Sequence, residues 1–164
     1  MYICRVKTFS KLIYTVFILA VTVFASKAQA PTNQDCPNAI PICNTTYSTV
    51  ISYSGTGSIP NEINSGSSCL LSGERNDVWY TFTTPFFGNL NFTITPNNPA
   101  DDYDWAVYNL TTATCADIYT NPSIEVSCNY APNLGCNGTT GPNNQTAGPC
   151  GGQNNPIIPV TPGQ

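Results

Sequence analysis

Asn97-Asn98-Pro99-Ala100-Asp101-Asp102-Tyr103-Asp104 is the one stretch of this chain that gathers groups able to do chemistry. If residues 102–108 are extended, Asp102 and Asp104 share a face, with carboxylates about 7 Å apart. Asp101 and the amides of Asn97 and Asn98 enter from the preceding loop. Hard oxygen donors from a loop and a strand start are what calcium requires. The stretch is therefore read as a weak calcium site built by Asp101, Asp102, Asp104 and Asn97 or Asn98. Two other readings stand beside it. Asx side chains bond their own backbone and favour turns, which would make this a solvated acidic turn. The spacing also suits the carboxylate pair of a glycosidase, with no sugar cleft identifiable in the sequence.

Other chemistry falls away quickly. The chain has no histidine, so neither a Ser-His-Asp nor a Cys-His arrangement can form. Zinc fits poorly too, because no C-x2-C pair accompanies the missing histidine. Glu74-Arg75-Asn76-Asp77 has the look of an active-site loop, but Arg75 is expected to pair with a neighbouring acid. Trp79, Tyr80, Tyr103, Trp105 and Tyr108 offer an aromatic platform for sugars. Of these, Trp79, Trp105 and Tyr108 are taken as binding candidates, against core packing as the ordinary fate of such rings. Sequons at Asn44, Asn91, Asn109, Asn137 and Asn144 matter only in a host that glycosylates them.

The elements that must position these residues are short strands. Between Asp77 and Thr83, Val78, Tyr80 and Phe82 alternate with Trp79 and Thr81; Leu90, Phe92 and Ile94 alternate with Asn91, Thr93 and Thr95. Pro85-Phe86-Phe87-Gly88-Asn89 between them suits a hairpin loop. Tyr47–Tyr53, Asp104–Asn109 and Ile124–Ser127 are further strand candidates. No apolar period of 3.6 residues follows residue 30, and Pro and Gly interrupt nearly every window. The expected fold class is all-β, an antiparallel, jelly-roll-like β-sandwich over 31–131. Residues 132–164 read as an Asn/Gly/Pro-rich loop or tail with a weak strand at Pro156–Val160.

The first residues say where the chain goes. Arg5, Lys7 and Lys11 precede an apolar run from Leu12 to Ala25, and Ser26, Ala28 and Ala30 are small. This is a secretory signal over residues 1–28, cut after Ala28 or Ala30. Its removal leaves Arg75 as sole cation against nine acids, a formal charge of −8. Such a surface repels phosphate backbones and anionic headgroups, so neither nucleic acid nor a membrane beyond the signal is expected as partner. The mature cysteines are Cys36, Cys43, Cys69, Cys115, Cys128, Cys136 and Cys150. In an oxidising compartment they read as disulfides, with at least one left over. Cys115–Cys128 is the preferred pair, as a staple across neighbouring strands.

Asp35-Cys36-Pro37-Asn38-Ala39-Ile40-Pro41-Ile42-Cys43-Asn44 and Gly73-Glu74-Arg75-Asn76-Asp77-Val78-Trp79-Tyr80-Thr81-Phe82-Thr83 resemble the N-terminal module of large secreted surface proteins of Bacteroidetes. These are similar to gliding-motility-associated proteins exported by type IX secretion. Asn89–Pro96, Asp101–Tyr108 and Ser127–Tyr130 continue the likeness, which covers roughly residues 35–164. The Asp-x-Asp-x-x-x-Tyr element and the Trp-Tyr-x-Phe strand also resemble bacterial pre-peptidase C-terminal domains. The resemblance implies a jelly-roll-like sandwich, in some members binding calcium and substrate polymers. It also implies a closing strand after Val160-Thr161-Pro162-Gly163-Gln164 and a sorting domain, so the chain is expected to be a fragment. The function so implied is non-catalytic: a secreted cell-surface module for adhesion or for binding extracellular polysaccharide or a protein surface. An accessory substrate-binding domain of a secreted protease or glycosidase, or a spacer without ligand, would share the sequence features.

Overall fold

The computed structural model describes residues 32–164; the expected signal segment and its expected cut sites lie outside them. Among the described residues there are eight short strands and four single 3-10 turns, with no α-helix, so the fold is β-rich as expected. The strands are β1 (Ile40–Pro41), β2 (Tyr80–Thr81), β3 (Gly88–Leu90), β4 (Trp105–Tyr108), β5 (Glu125–Asn129), β6 (Gly141–Pro142), β7 (Asn154–Asn155) and β8 (Ile158–Val160). They pair as four two-stranded sheets. β3–β8 and β4–β5 are antiparallel, whereas β1–β2 and β6–β7 are parallel.

The β4–β5 pair is the longest ladder, and both strands lie where alternation and β-branched residues predict them. Trp105 stands opposite Asn129 and Ala106 opposite Cys128, with an irregularity between Val107 and Tyr108. The bulge bends the strand and sharpens its twist. Tyr108 then reaches the core, where Cys36, Ile63, Ile118 and Ile124 are buried and Leu70, Trp79, Leu110 and Cys115 pack around them.

Three expectations are corrected. Cys115 does not bridge to Cys128. The disulfides are Cys36–Cys115, Cys69–Cys128 and Cys136–Cys150, and Cys43 is free and exposed. The residue opposite Cys128 in the ladder is Ala106. Cys115 sits instead in the 3-10 turn Cys115–Asp117 on the β4–β5 connection, whose Ile118 is fully buried. That turn carries the sulfur to Cys36 in the core. The expected hairpin around Pro85–Asn89 does not form either. β2 takes β1 as its partner and β3 takes β8, because the end of the chain occupies the edge: the Thr84 N–H donates to the Gln164 carbonyl at 2.7 Å and the Gly163 N–H to the Thr84 carbonyl at 2.8 Å. Tyr47–Tyr53 is no strand: the Ile51 N–H turns back onto Thr49 Oγ1 at 3.0 Å, a local bond that competes with a ladder.

Residues 132–164, which read as loop or tail, carry β6, β7 and β8. Amide side chains join this segment to the rest. Asn129 Nδ2 donates to the Gly152 carbonyl and to Asn155 Oδ1 at 2.9 and 2.7 Å, and Asn155 Nδ2 donates to the Cys128 carbonyl at 2.9 Å. Thr140 exchanges backbone bonds with Ile94 at 2.8 and 3.1 Å. Its buried hydroxyl accepts the Trp105 indole N–H at 2.7 Å and donates to the Gln153 carbonyl.

Candidate functional site

The acidic turn is placed by its own amides. Asn98 Oδ1 accepts the Ala100 N–H at 3.1 Å, and Asn98 Nδ2 donates to Asp101 Oδ1 at 3.2 Å. Asp102 Oδ2 accepts the Asn133 N–H at 2.9 Å, while Asn133 Nδ2 reaches the carbonyls of Pro99 and Asp101 at 3.3 and 3.4 Å. Asp101, Asp102 and Asp104 are all exposed. Partial burial, then the Asp102 charge, raises the Asp104 pKa above its ordinary value. Among the described residues, the one trio of Cys, Asp or Glu ligand atoms within 4.8 Å of one another is Cys69, Glu125 and Cys128. Its two sulfurs are bonded to each other, so it offers a single carboxylate. The acids of the turn do not converge in that way.

The aromatic candidates separate by face. Trp105 is buried, 6 % exposed, and stands edge-on to Phe92 at 5.3 Å. Trp79 and Tyr108 pack on the core and tilt against each other at 5.8 Å; the Tyr108 hydroxyl meets Ser68 Oγ at 3.0 Å. Burial first of all pushes the Tyr108 hydroxyl up to about 12. These three rings serve the interior. The strand geometry that turns Trp79 inward turns Tyr80 outward, since successive side chains of a strand face opposite ways.

Tyr80 does not stand alone on that face. Tyr47 meets it edge-on, centroids 5.4 Å apart. Burial, then the neighbouring phenols of Tyr47, Tyr53 and Tyr103, raises the Tyr80 pKa. Tyr47, Tyr80 and Tyr103 are exposed by 46, 39 and 46 %. Tyr53 is half-buried, its hydroxyl accepting from Asn33 Nδ2 at 3.3 Å. Asn97 Nδ2 donates to the Thr49 carbonyl at 3.5 Å, which brings the acidic turn against the loop that carries Tyr47. The surface thus joins flat ring faces to carboxylate and amide oxygens. Tyr80 and Tyr103 are visible in the sequence as part of an aromatic platform; Tyr47 and Tyr53 are not, because they lie in a loop with no strand partner.

A concavity of about 410 Å³ lies beside Cys136–Cys150, lined by Asn137, Thr139, Gln145 and Asn154 together with Gly135 and the two cysteines. It offers hydroxyls and amides without an aromatic or titratable group. No protein family, curated protein or solved structure matches this chain, so the chemistry of its surfaces rests on their own residues. No helix among the described residues is long and apolar enough to cross a membrane.

Proposed function

We propose that this chain is a non-catalytic, exported module that binds extracellular polysaccharide on the Tyr47–Tyr80–Tyr103 surface, as part of a cell-surface adhesin. The observation that carries the reading is the exposed tyrosine cluster bordered by the acidic turn. Sugar rings present C–H faces that lie on aromatic rings, while their hydroxyls donate to carboxylates and amides. A net charge of −8 after signal removal favours a neutral glycan over an acidic one. The small sheets are read as parts of a jelly-roll-like sandwich that presents this face, and the resemblance to Bacteroidetes surface modules agrees with it. The bridges Cys36–Cys115, Cys69–Cys128 and Cys136–Cys150 fit an oxidising compartment.

The binding test is retention on insoluble neutral polysaccharides, followed by titration with soluble oligosaccharides. Each stacked tyrosine is expected to supply about 1.4 kcal/mol, a tenfold change in Kd. Tyr80→Ala with Tyr103→Ala should therefore weaken binding about a hundredfold, while Trp79 fluorescence and Tm stay unchanged. Equal retention of the parent and the double variant would end the proposal. Export has its own check. Mass spectrometry of secreted material should find Gln29 or Pro31 as the first residue, and retention of Met1 would overturn the assignment.

A further inference from the structure

The loop leading into β2 turns two carboxylates inward. Glu74 is 9 % exposed. Its Oε2 accepts the Glu62 N–H at 2.9 Å, but its Oε1 is shut away from solvent with no partner. Both carboxylate oxygens of Asp77 are buried in the same condition, and the two side chains lie within hydrogen-bonding reach of each other. Beside them Glu62 is buried, with both oxygens accepting the Cys36 N–H at 3.1 Å. Arg75, expected to neutralise a neighbour, is exposed. Three buried carboxylate oxygens without a donor are costly, because each loses its water without a replacement.

We propose that Glu74 and Asp77 form the seat of a hard divalent cation, calcium, in the loop that enters β2. The donor set decides the ion. It is all oxygen and doubly negative, and calcium accepts irregular sets of carboxylates, carbonyls and water. A soft metal would look for sulfur or imidazole. The chain lacks histidine, and six of the described cysteines are tied in disulfides. This seat is separate from the exposed acids of residues 101–104, and it supports Trp79 in the core rather than the tyrosine face. The alternative filling is one proton shared between the two carboxyls, which the test below distinguishes.

The experiment uses the oxidised, secreted chain stripped with chelator at pH 7.5. Calorimetric titration with calcium should give one site, and millimolar calcium should raise Tm by about 3–6 °C. Terbium should displace it and emit on excitation of Trp79, two residues from Asp77. Glu74→Gln and Asp77→Asn, singly, keep the shape of the side chains and should weaken calcium binding at least tenfold. Asp102→Asn with Asp104→Asn should leave affinity and Tm shift unchanged. Absence of heat and of a Tm shift in the parent chain overturns the proposal and leaves the shared proton. Loss of the response in the Asp102/Asp104 variant overturns it in favour of the exposed turn. Both of those outcomes can be read even if the Glu74 and Asp77 variants fail to fold.

Discussion

Replacing Cys36 and Cys115 together with alanine is expected to cost about 4.5 kcal/mol, against about 3 kcal/mol for the same change at Cys136 and Cys150. The difference follows from the loops they close: the first bridge spans 79 residues of sequence and the third spans 14. A longer closed loop removes more freedom from the unfolded chain. Domains of this size have only about 5–15 kcal/mol of total stability, so loss of the first bridge takes about a third of it or more. Cys36 is also buried in the core with Ile63, Ile118 and Ile124, where the bridge fills space. Urea melts of the two double variants give the ranking directly. Equal midpoints, or a larger loss at Cys136/Cys150, would contradict it. Peptide mapping without reduction should show the three bridges, with Cys43 alone taking a thiol label.

The second large effect is expected at Asp35, which is 0 % exposed. Its Oδ1 accepts the N–H groups of Ser58 and Ile59 at 2.8 and 2.6 Å. Its Oδ2 accepts the Thr32 hydroxyl at 2.9 Å as well as the Thr32 N–H. Burial pushes this carboxyl's pKa up, but the donors from Thr32, Ile59 and Ser58 outweigh it and hold the pKa below 3.8. Asp35→Ala strands those donors, for a loss of about 3–5 kcal/mol. The pH dependence has a definite sign. Because the folded pKa is depressed, the carboxylate's contribution is present above pH 3.8 and is lost as pH falls through the lower folded value. Denaturant melts between pH 5 and pH 2.5 should thus fall more steeply for the parent than for Asp35→Asn. Parallel slopes would show that the donors are satisfied by other means. Gly57 is part of the same arrangement. It has φ +68°, and a Cβ there would lie 2.6 Å from Asp35 Oδ1, so this close approach admits only glycine.

The strands that could be read in advance are those in which apolar alternation and burial agree. β4 and β5 lie inside Asp104–Asn109 and around Ile124–Ser127, and β8 falls within Pro156–Val160. Partner choice was less legible. Val78–Phe82 and Leu90–Ile94 alternate clearly, yet alternation says nothing of which strand lies alongside. Nor does it say which face is inward: Trp79 packs on the core while Tyr80 and Phe82 are each 39 % exposed. The rest of the segment after Ala131, with β6 and β7, escaped notice because its cohesion comes from Asn129, Thr140, Gln153 and Asn155, whose polar side chains substitute for apolar contacts. Glu62, Glu74 and Asp77 sit among Ser, Gly and Asn, where an acid ordinarily faces water. Only the fold turns them inward.

The pairing of Gly88–Leu90 with Ile158–Val160 has a consequence for how the molecule is made. β1 likewise waits for β2, and Cys36 for Cys115. Apart from β4–β5, the larger closures join residues far apart along the chain, a topology of high contact order that folds slowly. The growing polypeptide therefore cannot settle Gly88–Leu90 until residues 158–160 arrive. Slow closure leaves these distant partners apart until late, and oxidation of Cys36 and Cys115 then locks the closed form across 79 residues of sequence.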